Sequence, residues 1–118
     1  MIAEPPTLGE LATFITSKNA GPFLVTIDVV FASREQYERV RDAGALTPEV
    51  VAALYRLESS DVVKITGFDP GRALKVTLRR PIPSGGAGDT DVYGAQQHVP
   101  LMLWRVPVEV VSRRGYEV

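Results

Sequence analysis

From Phe23 to Phe31 the chain alternates with period two, and this commits it to a β-strand. Phe23, Val25, Ile27, Val29 and Phe31 share one face, while Leu24, Thr26, Asp28 and Val30 share the other. One face is wholly apolar and has to be covered, so the strand requires a sheet with a second layer packed on it.

The flanking segments supply that layer. Thr7 and Glu10 stand at capping-box spacing, and Leu8, Leu11, Ala12 and Ile15 follow at helical intervals. This predicts a helix over 7–18, ended by Asn19-Ala20-Gly21-Pro22. Ser33 and Gln36 repeat the capping spacing, Tyr37, Val40 and Ala43 make an apolar stripe, and Gly44 is a helix stop. Thr47-Pro48-Glu49 opens a third helix carrying Val50, Val51, Leu54 and Leu57, with proline where its missing N–H costs nothing.

Asp61 to Phe68 and Arg72 to Arg80 read as two strands. Asp69-Pro70-Gly71 between them suits a type II turn with glycine at the positive φ. In the second of these strands Leu74, Val76 and Leu78 alternate with Lys75, Thr77 and Arg79, so one face is wet. A last strand is expected from Val99 to Val111, with Pro107 marking an edge or a bend.

The order is helix, strand, two helices, three strands. It predicts an α+β fold: a four-stranded mixed sheet with three helices, a ferredoxin-like sandwich with a right-handed parallel crossover through the helical pair. One domain over 1–107 and a tail over 108–118 are expected.

Composition narrows the chemistry. The 118 residues include no cysteine, which excludes disulfides, thiolate metal sites and a cysteine nucleophile. The formal net charge of −1 lacks the basic excess of a nucleic-acid binder. No apolar run is long enough for a membrane span, and Met1 to Pro6 has neither the basic nor the apolar region of a signal peptide. Cytoplasm is the expected compartment. No cofactor is expected.

The stretch Pro83 to His98 builds no core. It has no hydrophobic period and is long for a loop in a compact domain, where such loops are functional or disordered. Asp89, Asp91 and His98 are the candidates for proton transfer, His98 being the chain's single histidine. Backbone N–H groups at Gly85, Gly86 and Gly88 suit an oxyanion, and Ser84, Thr90, Tyr93, Gln96 and Gln97 add hydrogen-bonding groups for a substrate. No Gly-Lys-Ser/Thr follows the glycines, so this is not a P-loop. A divalent ion on Asp89, Asp91 and His98 is chemically conceivable, but carboxylates two apart on a loop are common turn formers, and no metal is assigned. Thr16-Ser17-Lys18-Asn19 is a second polar cluster, in which Lys18 and Asn19 are the candidates for a role. They either complement and cap the end of the first helix or contact an anion or carbonyl beside the long loop. The alternatives for the loop itself are an ordered but inert segment and a flexible linker.

Two segments, Ser17-Lys18-Asn19-Ala20-Gly21-Pro22-Phe23 and Gly88 to His98 (Gly-Asp-Thr-Asp-Val-Tyr-Gly-Ala-Gln-Gln-His), resemble a known family, the domain of unknown function numbered forty-three eighty-seven. Phe68-Asp69-Pro70 and Leu46-Thr47-Pro48-Glu49 fit as well, and the resemblance spans Thr7 to Pro107. It implies a larger companion of the AtuA acyclic-terpene-utilisation type and a substrate that is a carboxylate or acyl-CoA compound. The expected function is therefore a small subunit of such an enzyme, with a hydratase or other lyase step. A non-catalytic ligand-binding or partner-stabilising module is the alternative. Val99 to Val108 is apolar at nearly every position, and as a strand it would leave apolar surface for a hetero-complex or for pairing with its own copy, the alternative being that the N-terminal helix and the tail cover it within the monomer.

Overall fold

The computed structural model describes residues 4–79 and 98–107. Strands β1 (Phe14–Asn19), β2 (Leu24–Val30), β3 (Val62–Phe68) and β4 (Ala73–Arg79) form one sheet in the order β1-β2-β4-β3. Helices α1 (Leu8–Leu11), α2 (Arg34–Ala43), α3 (Pro48–Tyr55) and α4 (Val99–Met102) complete the described fold. The α+β class with a four-stranded sheet is as the sequence predicts.

The pairing is antiparallel throughout, where a mixed sheet was expected. Strands β2 and β3 flank the helical pair and run the same way, yet β4 is inserted between them. This is a split β–α–β arrangement. The outer strand beside β2 is β1, from the N-terminal segment, and the C-terminal segment supplies no strand up to Pro107.

The first helix is far shorter than its spacing predicts. The capping box forms, with Glu10 N–H donating to Thr7 Oγ1 at 3.2 Å and Thr7 N–H donating to Glu10 Oε1 at 2.7 Å. The helix nevertheless stops after one turn at Ala12, whose backbone is extended. Isolated turns of helix are weak, whereas the β-branched run Thr13, Ile15, Thr16 finds six partners along β2, from Phe14↔Val30 to Asn19↔Val25. Lys18 and Asn19 therefore end a strand and cap no helix.

Helices α2 and α3 follow the sequence signals. Ser33 Oγ accepts from Gln36 N–H at 3.2 Å, Gly44 takes the left-handed φ of 65°, and Thr47 Oγ1 accepts from Val50 N–H at 3.1 Å. The β3–β4 turn departs from type II. Asp69–Gly71 is a turn of 3₁₀ helix, and the positive φ of 51° falls on Arg72. Phe31 holds Arg72 there, donating its N–H to Arg72 O at 2.9 Å and accepting Arg72 Nε–H at 3.1 Å.

The expected last strand is a single helical turn, α4, followed by an isolated bridge between Arg105 and Thr7. Leu8 N–H donates to Trp104 O at 2.8 Å and Val106 N–H to Pro6 O at 2.9 Å, so the two end segments are stitched together. Leu101 and Val106 are buried and Leu103 is exposed. The apolar segment thus largely covers the monomer's own core, which removes the bare strand on which the interface expectation rested.

The core lies on one face of the sheet. Cross-strand rows Val25↔Leu78, Ile27↔Val76 and Val29↔Leu74 are buried beneath Leu8, Tyr37, Val40, Val51 and Leu101. The other face carries Thr16, Asp28, Lys75 and Thr66, which are cross-strand neighbours in register.

Candidate functional site

The inner face of β1 carries Ile15, Ser17 and Asn19, half-buried, while Phe14, Thr16 and Lys18 are exposed on the outer face. His98 stands at the start of α4, where its carbonyl accepts Met102 N–H at 2.9 Å. Burial of Leu101 fixes that turn against α1 and α3, and so brings the imidazole to the sheet edge. Ser17 Oγ and His98 Nδ1 are 3.5 Å apart, at the outer limit of a hydrogen bond, across 81 residues of sequence. Which of the two donates depends on the imidazole tautomer. The polar segment 17–19 and the last residue of the long loop are therefore neighbours.

Lys18 is on the other face of β1 from Ser17 and Asn19. Ser84, Gly85, Gly86, Gly88, Asp89, Thr90, Asp91, Tyr93, Gln96 and Gln97 lie outside the described residues. Among the described residues no three His, Asp or Glu side chains gather as metal ligands.

A second place with chemical content is the open face of the sheet. Phe14, Thr16, Asp28, Thr66, Phe68 and Lys75 line a groove of about 610 Å³ there. Lys75 Nζ is 3.5 Å from Asp28 Oδ1, an ion pair in the middle of the sheet. Phe14 and Phe68 are half exposed at one end. Gly71 makes room for the Phe68 ring, because a Cβ at residue 71 would stand 2.9 Å from it. The signal in the sequence was Asp28, a charge within the otherwise apolar-rich strand β2, and its meaning depended on Lys75 being its cross-strand neighbour.

A third cluster joins α2 to the β3–β4 turn. The Tyr37 hydroxyl donates to Asp69 Oδ1, Arg41 donates to the same oxygen at 3.0 Å, and the Arg41 guanidinium lies 5.2 Å from the centre of the Tyr37 ring. The hydrogen bond from Tyr37 and then the Arg41 charge hold the Asp69 carboxyl below its ordinary range, while burial pushes the Tyr37 phenol up. Tyr37 is fully buried and meets Phe31 with ring centroids 6.2 Å apart, so this cluster is structural.

A family model described as domain of unknown function DUF4387 matches residues 8–105. The chain belongs to this family. The DUF4387 match takes in all four strands and all four helices, as well as Ser17, His98 and the open-face groove. No curated protein and no solved structure matches the chain. No helix among the described residues is long and apolar enough to cross a membrane.

Proposed function

We propose that this DUF4387 protein is an accessory subunit of a larger AtuA-type enzyme and helps complete its site for a carboxylate or acyl-CoA compound. The observation that supports this reading is the meeting of Ser17 and His98, because it puts an imidazole from the polar loop beside β1, the outer strand of the sheet. A hydroxyl beside Nδ1 orients the ring, and an imidazole held in place is suited to the proton transfer of a hydration or other lyase step. In this reading Ser17 is a positioning residue. Asp89 and Asp91 are the further candidates for proton transfer, and Asn19 with the loop glycines holds substrate oxygens.

Exposed Phe23, at 57 %, and Leu103, at 61 %, offer apolar anchors for a partner. The test is co-expression with the neighbouring AtuA-type protein, followed by size-exclusion chromatography with light scattering and assay of hydratase activity on acyl-CoA substrates. A stable hetero-complex is expected, with His98→Ala preserving assembly but lowering turnover. In the Ser17→Ala complex the pH profile shifts. A chain that stays a monomer beside its companion at tens of micromolar, with and without ligand, overturns the reading.

A further inference from the structure

The open-face groove is chemically distinct from the Ser17–His98 corner and faces the other side of the sheet. Its volume of about 610 Å³ falls within the roughly 300–1,000 Å³ of small-molecule clefts. Asp28 Oδ1, on the outer face of β2 and in the lining of the groove, is shielded from water and has no hydrogen-bond partner among the described residues. Buried oxygens are nearly always paired, because stripping their water without replacement is unfavourable. Asp28 Oδ1 has Lys75 Nζ at 3.5 Å without hydrogen-bond geometry.

From these groups the geometry points to a small-molecule site on the open sheet face, for an acid that carries a carboxylate, an adjacent hydroxyl or ammonium donor, and a short apolar branch. The carboxylate goes to Lys75, whose side chain is 47 % exposed and can swing away from Asp28. The donor goes to Asp28, and so satisfies the carboxylate that Lys75 now leaves. Thr16 and Thr66 flank the pair and hydrogen-bond the ligand's oxygens. Phe14, Val30 and Phe68 receive the apolar branch at the far end of the groove. An ion pair is the matching receptor for a molecule bearing both an anion and a donor, since each group of the pair exchanges one partner for another. Neither a simple fatty acid nor an alcohol would do this.

The test uses the whole chain in the absence of any partner, so that it stands or falls separately from the subunit reading. Backbone amide shifts are followed by NMR during titration with 2-hydroxy-4-methylpentanoate, leucine, and 4-methylpentanoate, which lacks the donor. Saturable shifts centred on Thr16, Asp28, Thr66 and Lys75 are expected. At least one of the first two should bind about tenfold tighter than 4-methylpentanoate, the scale of a hydrogen bond to a charged group. The stronger of the two identifies a hydroxy acid or an amino acid as the ligand class. Asp28→Asn should remove the discrimination, and Lys75→Met should weaken all three acids, with dispersed spectra showing that each variant is folded. No saturable shift up to roughly 10 mM, shifts centred elsewhere, or equal affinity for all three acids overturns the assignment. So does a dimer in light scattering whose interface covers Phe14 and Phe68.

Discussion

The phenol oxygen of Tyr37 occupies the space that a side chain on Gly67 would need: a Cβ at residue 67 would stand 2.5 Å from it. Gly67 lies within β3, where glycine is normally a weakness, and here it admits the hydroxyl on its way to Asp69. Gly67→Ala should destabilise the protein by about 1–3 kcal/mol through overpacking. Tyr37→Phe should cost about 1 kcal/mol for the lost hydrogen bond. The next Tyr37 atom is 3.5 Å from that Cβ, so the alanine should cost less in the Tyr37→Phe background. Denaturant melts of wild type, the two single variants and the double variant check this, and additive effects would refute the clash.

Asp69 carries an acid-side signature. Its carboxyl is held below the ordinary 3.8 by the Tyr37 hydrogen bond and then by Arg41. A folded-state value below the unfolded one stabilises the fold above about 3.8, and that contribution is lost as pH falls further. Asp69→Asn should therefore show a shallower fall of melting temperature on the acid side than wild type. Parallel acid limbs would contradict the network.

On the alkaline side Tyr55 is the reporter. Burial raises its phenol above the ordinary 10.0, with a hydrogen bond to the Leu101 backbone acting the other way. The unfolded chain then ionises first, so stability present below about pH 10 is lost as pH rises past it. Tyr55→Phe should melt less steeply with pH than wild type between about pH 9 and 11. Identical slopes would place Tyr55 in water.

Leu101 and Leu103 separate the helical turn from the expected strand. Two residues apart, they would share one face of a strand, but in the structure Leu101 is fully buried and Leu103 is 61 % exposed. Leu101→Ala should cost about 2–4 kcal/mol, and Leu103→Ala should stay within about 0.5 kcal/mol. Equal losses in thermal melts would restore the strand.

What the residues determined alone is local and periodic. The alternation in β2, the caps at Ser33 and Thr47, the stop at Gly44 and the wet face of β4 are each settled by interactions within a few residues, and each stands where the sequence puts it. Tertiary structure decided the rest wherever a distant partner outweighed a weak local preference. Residues 14–19 fall within the predicted first helix, yet they become β1 because β2 offers a full antiparallel edge. Residues 99–102 have the look of a strand and become a helical turn, since the end segments bond to each other and bury Leu101. The candidate sites divide in the same way. His98 was legible as a solitary imidazole after a polar loop, but its neighbour Ser17 was brought to it by the fold across 81 residues. Asp28 and Lys75 were each visible as a charge on a strand, and only the β2–β4 register made them a pair, because cross-strand neighbours are chosen by sheet order and not by distance along the chain.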